Sequence, residues 1–436
     1  MANGMTLPCP SLPRSSLASA HEAVRIIESG HRVFLGSGAA VPSQLLAAVC
    51  AHAADLRDVE LCHLLTLGTA PHVDPSLVGR LRHDAFFVGR NTRLAVEEGR
   101  ADFTPVFLSE VASLFRSRRP LDVALVQVSP PDRHGYCSLG VSVDIVKPAI
   151  DGARHVIAEL NRRMPRTHGD AFVHVSRFDR CVEVDDPLPE LAAAAPSAVA
   201  HAIGVRIAEL IDDGDTLQLG IGAIPDAVLG ALGGHRDLGI HTEMFSDGVV
   251  DLVAAGVVTN ARKTLHRGKL VTSFVLGSRR LYDFVDDNAA VEMHPSHYVN
   301  DPFLIARNRG MVAINSALAV DLTGQVCADA LGPHEYSGIG GQVDFLRGAA
   351  RAEGGKPIIA LPSTARGGKT SRIVAELPAG AAVTTSRGDV HWVVTEHGAA
   401  NLHGMSLRER AAALIALAAP EVRETLVVAA RARHWL

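Results

Sequence analysis

The sequence predicts an α/β fold built as two similar open α/β domains with mainly parallel sheets, and three observations carry that reading. A chain of 436 residues with 47% hydrophobic content is long enough for two or three domains with sizeable cores. Short apolar runs of strand length, "DVALVQVS" (122–129), "HVIAEL" (155–160), "KPIIAL" (356–361) and "HWVVTE" (391–396), alternate with helical patterns such as "SLRERAAALIALA" (406–418). That alternation builds parallel sheets covered by helices. Finally, one segment occurs twice: "ESGHRVFLGSGAAVPSQLLAAV" (28–49) and "DDGDTLQLGIGAIPDAVLGAL" (212–232).

Each copy reads as helix, turn glycine, strand, G-x-G loop and second helix. Each follows a helical pattern containing Val-Arg-Ile, "AVRIIESG" (23–30) and "GVRIAELIDDG" (204–214). A likeness at so long a period means two related halves and not a solenoid. The stretch "VEVDDPLPELAAAAPSAVA" (182–200) carries Pro187, Pro189 and Pro196 beside an alanine run, the punctuation of a linker entering a helix. The boundary is placed near residue 192, giving domains 1–191 and 192–436.

In the second copy an apolar strand runs into Gly220-Ile221-Gly222, and Pro225 falls in the first turn of the next helix, where its missing N–H costs little. Glycines there let the backbone approach a ligand, and the helix N-terminus offers free N–H groups. A tight strand-to-helix turn needs glycine for steric reasons alone, so both readings stay open. The third glycine of a dinucleotide fingerprint is replaced by Pro225, which disfavours a nicotinamide dehydrogenase. The glycine-rich stretch 334–364 lacks the spacing of a triphosphate-binding loop.

A formal charge of −5 without any long block of like charge removes the electrostatic footprint of nucleic-acid binding and leaves a small-molecule partner. The six cysteines (Cys9, Cys50, Cys62, Cys137, Cys181, Cys327) lack CxxC spacing and read as buried thiols of a reducing compartment. No secretory or membrane-spanning pattern appears in the sequence, so no membrane partner and a cytoplasmic location are expected. Motifs for zinc hydrolysis and for a nucleophilic serine are absent, and no metal is expected. His241, His334 and His397 read as surface or core residues.

One carboxylate stands out. In "LGIHTEMFSDGVVDL" (238–252), Glu243 is set among glycine and aliphatic residues. By itself such a residue reads as solvated or ion-paired. A carboxylate can also act as a nucleophile, provided that it is ionised and that N–H donors await the oxyanion.

The chain resembles the acetyl-CoA hydrolase/transferase family, a branch of the class I CoA-transferases. The likeness runs from about residue 20 to the end, through "VSPPDRHGYCSLGVSVD" (128–144), "NRRMPRTHGDAFVHVS" (161–176), "LGIGAIPDAV" (219–228), "GIHTEMFSDGVVDLVAAGVVTN" (239–260), "SGIGGQVDFLRGA" (337–349), "ALPSTARGGKTSRIV" (360–374) and "VVTEHGAANLHGMSLRERA" (393–411). The resemblance implies CoA transfer from an acyl-CoA such as acetyl-CoA or butyryl-CoA to a short carboxylate such as acetate or 4-hydroxybutyrate. Glu243 is implied as the nucleophile of a ping-pong cycle through an acyl-glutamyl anhydride and a glutamyl-CoA thioester.

The family's first CoA-contacting loop maps onto Gly220, Ile221, Gly222, Ala223 and Ile224, and its second onto Gly340 and Gly341. Lys356 is a candidate for a CoA phosphate and Asn315 for the pantetheine or acyl group. A surface lysine and a turn asparagine are the plain alternatives. Glu396 is assigned to orienting a loop through backbone N–H groups, and it is the best rival nucleophile. Coenzyme A enters as substrate, the active site is expected at the domain interface, and a homodimer or higher homo-oligomer is implied. A hydrolase on the same scaffold and a CoA-binding module without turnover are the rival readings.

Overall fold

Seven strands of the N-terminal half form one sheet: β1 (Arg32–Leu35), β2 (Val59–His63), β3 (Leu81–Ala85), β4 (Ala101–Phe103), β5 (Val123–Val128), β6 (His155–Asn161) and β7 (Arg180–Val184). Their order is β7-β6-β5-β1-β2-β3-β4, and every pair is parallel. All six residues of β5 are buried, the signature of a sheet covered on both faces. This computed structural model describes residues 17–191 and 195–436; the expected boundary at residue 192 and Cys9 lie outside the described residues.

The C-terminal half carries β8 (Thr216–Leu219), β9 (Gly239–Ile240), β10 (Met311–Ser316), β11 (Lys356–Ala360), β12 (Trp392–Thr395) and β13 (Gly398–Asn401) in the order β9-β8-β10-β11-β12-β13. Only the β12–β13 pair in this sheet is antiparallel, closing the edge as a hairpin. The four apolar runs picked from the sequence are β5, β6, β11 and β12. The helical pattern at 406–418 becomes a helix over Leu407–Leu417, opened by a capping box in which Ser406 and Glu409 satisfy each other's backbone N–H.

The repeated segment folds as the sequence implies, with two differences: the leading Val-Arg-Ile is a 3₁₀ turn (Val24–Ile26) in the first copy but lies inside a helix over Ala198–Ala208 in the second, and the helices after the glycine loops begin differently. In the first copy β1 and its glycines lead to helix α1 (Ser43–His52) only after an intervening stretch, and Pro42 at its cap offers no side-chain hydrogen bond. In the second copy, helix α3 (Ala223–Ala231) starts directly after Gly222. Gly222 has φ +114 and ψ −177, a region closed to residues with a Cβ.

Strand order reverses between β8 and β10, since the chain steps from β8 to β9 on one side and later to β10 on the other. Such a switch point leaves a crevice outside the carboxyl ends of the strands. The two sheets also share a core: Phe34, Val126 and Val156 of the first belong to the same buried cluster as Leu217, Ile314 and Ile358 of the second. Backbone bonds cross as well, from Val143 N to the Ser273 carbonyl and from Val275 N to the Val141 carbonyl, both at 2.9 Å.

Behind β8, helix α2 (Ala198–Ala208) packs on α3 at Gly204, where a Cβ would come within 2.7 Å of the backbone of Ala227. Alanine normally gains up to about 1 kcal/mol over glycine inside a helix, whereas overpacking costs about 1–3 kcal/mol. Because the obstacle is backbone that cannot turn aside, the clash should win. Gly204→Ala is expected to lower the urea midpoint, and a higher midpoint would show that the helices separate freely.

Candidate active site

The crevice at the switch point holds a cavity of ≈ 250 Å³. Its wall is made by the end of β8 and the loop after it (Gln218, Gly220, Ile221), the end of β10 (Asn315), the glycine loop 337–341, and Phe87 from the loop after β3. Glu243 and Met244 close it from one side.

The backbone around Glu243 is pinned in two directions. Thr242 Oγ1 accepts from Leu219 N at 3.2 Å and lies 2.9 Å from the Leu219 carbonyl, joining this corner to the end of β8. The Glu243 carbonyl accepts from Ser273 N at 2.9 Å and Phe274 N at 3.1 Å. Residues Met244–Phe245 then pair in parallel with Phe274–Val275. The side chain therefore leaves a fixed base.

Its carboxylate is held between Asn300 and Gly341. Asn300 Nδ2 donates to Oε2 at 2.9 Å. A Cβ on Gly341 would sit 2.0 Å from that same oxygen and 2.3 Å from Asn300 Nδ2, although φ at Gly341 is an ordinary −93. Glycine is required here for room. Burial pushes the Glu243 carboxyl up to about 7, with smaller increments from the Asp344 and Asp144 carboxylates, while Asn300 pulls it down.

Asp344 lies in the first turn of helix α4 (Gln342–Arg351), and burial raises it to about 7 as well. Its oxygens accept from Ser109 N at 3.1 Å and Ser109 Oγ at 2.9 Å. The glycine loop is tied to the first half by Val88 N to the Ser337 carbonyl at 2.9 Å, Leu108 N to the Gly340 carbonyl at 3.3 Å, and Arg93 Nε to the Tyr336 carbonyl at 3.0 Å. The loop that confines Glu243 is thus positioned by the opposite sheet.

Of the residues chosen from the sequence, Glu243, Gly220, Ile221, Asn315, Gly340 and Gly341 meet in this cavity. Gly222, which caps α3, and Ala223, its first residue, are exposed beside it, and Ile224 is buried in the core. Asn315 Nδ2 donates to Gln218 Oε1 at 2.9 Å, forming a polar pair across neighbouring strands.

Lys356 is not brought to the cavity. It begins β11, at the opposite end of the strand from the switch-point loops, and its ammonium is taken by Asp212 at 2.6 Å and Asp215 at 3.1 Å. Glu396 accepts from Ser363 N at 2.8 Å and Ser363 Oγ at 2.7 Å, the loop-orienting role expected of it. Among the histidines, His241 is buried with Nε2 2.8 Å from the Val299 carbonyl, His334 is exposed, and His397 is half-buried beside Glu396. Cys50 is half-buried; Cys62, Cys137, Cys181 and Cys327 are buried, and all five are free thiols.

Sequence reasoning missed Asn300, Asp344, Gln218 and Phe87, because each is an ordinary polar or aromatic residue until the chain brings it to the carboxylate. Asn300 supplies a bond to the ionised form, and such bonds contribute about 1.5–3 kcal/mol, or roughly 1–2 pH units. Asn300→Ala is therefore expected to raise the titration midpoint of Glu243, read by NMR on protein labelled with ¹³C at glutamate side chains. An unmoved midpoint would remove Asn300 from the site.

With this geometry in place, comparison with known proteins is direct. Residues 14–191 match the acetyl-CoA hydrolase/transferase N-terminal domain, and residues 277–430 match the C-terminal domain. Glu243 falls between the two matched segments. The chain is 51% identical over 415 residues to the 4-hydroxybutyrate coenzyme A transferase of Clostridium kluyveri, spanning 95% of this chain and 97% of that protein. It is 48% identical over 429 residues to the succinyl-CoA:acetate/propanoyl-CoA:succinate CoA transferase of Fasciola hepatica, spanning 97% of this chain and 89% of that one. The crystal structure of RipA from Yersinia pestis superposes with a TM-score of 0.91 at 39% identity, covering 97% of this chain and 98% of that one. Matched in sequence across both halves and in fold along nearly its whole length, the chain belongs to the acetyl-CoA hydrolase/transferase family.

Proposed function

We propose that Glu243 is the nucleophile of a ping-pong CoA transfer between an acyl-CoA and a short carboxylate, in an active site at the interface of domains 1–191 and 192–436. As a member of its family the chain is a CoA-transferase acting between acyl-CoA and short carboxylates. The observation that carries the nucleophile is the placement of one carboxylate on a pinned backbone, open to the switch-point cavity and confined by two glycine loops.

The ionised Oε of Glu243 attacks the thioester carbonyl of the donor. The C–S bond breaks, leaving an acyl-glutamyl anhydride and CoA thiolate. The thiolate attacks the glutamyl carbonyl and expels the donor's carboxylate, giving a glutamyl-CoA thioester. An acceptor carboxylate runs both steps in reverse and frees Glu243. Thioester and anhydride exchange here without a net gain or loss of bonds, so the protein's part is orientation, oxyanion donors and exclusion of water.

CoA enters along Gly220, Ile221, Gly222 and Ala223 on one side and Gly340 and Gly341 on the other. Lys356, already neutralised by two aspartates, has no part in it. A cavity of ≈ 250 Å³ walled by Phe87, Ile221, Met244 and Ile339 suits an acyl chain of about the C2–C4 size. The Gln218–Asn315 pair supplies polar atoms for a hydroxyl or a second oxygen. Together with the 51% identity to a 4-hydroxybutyrate coenzyme A transferase, this favours acetyl-CoA or butyryl-CoA as donor with acetate or 4-hydroxybutyrate as exchange partner. A cytoplasmic homo-oligomer completes the reading; among the described residues no helix is long and apolar enough to cross a membrane.

Incubation with acetyl-CoA alone, followed by intact mass and peptide mapping, is expected to show a CoA adduct on Glu243 that disappears when 4-hydroxybutyrate is added. Glu243→Ala should show neither adduct nor turnover. An adduct on Glu396, or turnover surviving in Glu243→Ala, would sink the assignment, and thioester loss to water without an acceptor would mark a hydrolase. Since the attacking form is the carboxylate and its pKa is about 7, kcat/KM for acyl-CoA should fall about tenfold per pH unit below that value.

Gly341→Ala leaves the backbone unstrained but drives a methyl into the carboxylate. Displacing the nucleophile by about 1 Å is expected to cost roughly 10²-fold in kcat with the melting temperature little changed. Parental turnover in that variant would mean that the carboxylate reacts from another position.

A further inference from the structure

On the first sheet, on the two strands next to the loop that carries Phe87, three histidines of unrelated sequence context converge. His63 ends β2, His83 lies on β3, and His72 sits in the 3₁₀ turn Pro71–Val73 that links the two strands. All three are at most 1% exposed. The rings of His63 and His83 stack with centroids 4.3 Å apart, and His72 packs edge-on at 5.0 Å from His83 and 5.8 Å from His63. One ring nitrogen from each lies within 4.8 Å of the others.

These rings lack partners that a dry core would normally supply. Both nitrogens of His72 and Nε2 of His83 have no hydrogen-bond partner among the described residues, and the nitrogens of His63 make no bond of good geometry, with only the adjacent Leu64 backbone approaching them. His83 Nδ1 lies 3.2 Å from the Leu61 carbonyl. Donation there fixes the tautomer and leaves the Nε2 lone pair free, the arrangement in which a metal-bound imidazole is held by its other nitrogen.

We propose that His63, His72 and His83 bind one divalent transition-metal ion of the zinc class. Imidazole nitrogens suit zinc at about 2.0–2.1 Å, so three ligands of a tetrahedral ion stand about 3.4 Å apart, and binding would draw in the present cluster, whose nitrogens lie within 4.8 Å of one another. The ion clamps the turn at 71–73 to the ends of β2 and β3. Phe87, four residues after His83, forms part of the cavity wall, so the clamp braces the strand end from which that wall is hung. The second histidine group, His266 and His294 about Glu292, is different: His266 Nδ1 is 2.7 Å and His294 Nε2 3.3 Å from Glu292, and His266 Nε2 is 2.6 Å from the Tyr298 hydroxyl. Those nitrogens are already satisfied.

The test uses the full chain without a histidine tag. Metal analysis of the purified protein, zinc titration against a chromophoric chelator, and melting with ZnCl₂ or EDTA are compared for the parent, His72→Ala, His72→Gln and His294→Ala. The expected result is one zinc per chain and a saturable rise in melting temperature, both lost in the His72 variants and kept in His294→Ala. Cobalt should give the visible bands of a tetrahedral site in the parent alone among the first three. The glutamine variant preserves volume should the alanine variant fail to fold. Absence of uptake and of any melting shift in the parent would overturn the site, as would metal retained by the His72 variants and lost in His294→Ala.

Discussion

The carboxylate proposed as nucleophile, which would have to be ionised to attack, sits where burial favours its protonated form, and the residues around it are arranged about that conflict. Glu243 is raised to about 7 by desolvation, with Asp344 and Asp144 adding like charge. Asn300 moves it back toward ionisation. The outcome is a group poised between its two forms near neutral pH, which is the useful place for a nucleophile. Ionising it costs folding stability, because its pKa in the folded chain is above the unfolded value; that loss builds as pH rises above the ordinary glutamate value and is complete once pH passes about 7.

Confinement makes the conflict productive. The two glycine loops do different physical jobs. Gly222 takes a backbone conformation that a side chain would forbid, which lets α3 start directly after β8. Gly341 takes an ordinary conformation but leaves the volume that the Glu243 oxygen and the Asn300 amide occupy. The second loop is also carried by the first half, through Val88, Leu108 and Ser109. The relation of the two halves thus sets the position of the wall facing Glu243, and their shared core holds the halves together.

The sequence made much of this legible. Short apolar runs mark β5, β6, β11 and β12, and a helical pattern marks 407–417, because strands covered on both faces and helices covered on one leave a local trace. The duplicated strand, glycine loop and helix announced two similar halves. Resemblance to a family points to Glu243, Gly220, Ile221, Gly340 and Gly341, and these line one cavity together with Asn315. Lys356 was misplaced for a physical reason: its neighbouring glycines suggested a phosphate site, but a strand's two ends lie on opposite edges of a sheet, and Asp212 and Asp215 occupy the ammonium.

What the sequence by itself determined is therefore the periodic part of the fold, the turn chemistry and the family. Those depend on residues close together in the chain. Tertiary structure alone decided the contacts that tune the chemistry: Asn300 against the carboxylate, Asp344 behind it, Phe87 brought from the other sheet, and three buried histidines gathered from two strands and a turn. Each joins residues separated along the chain by a crossover or a loop, and a side chain carries no mark of which distant partner the packing will give it.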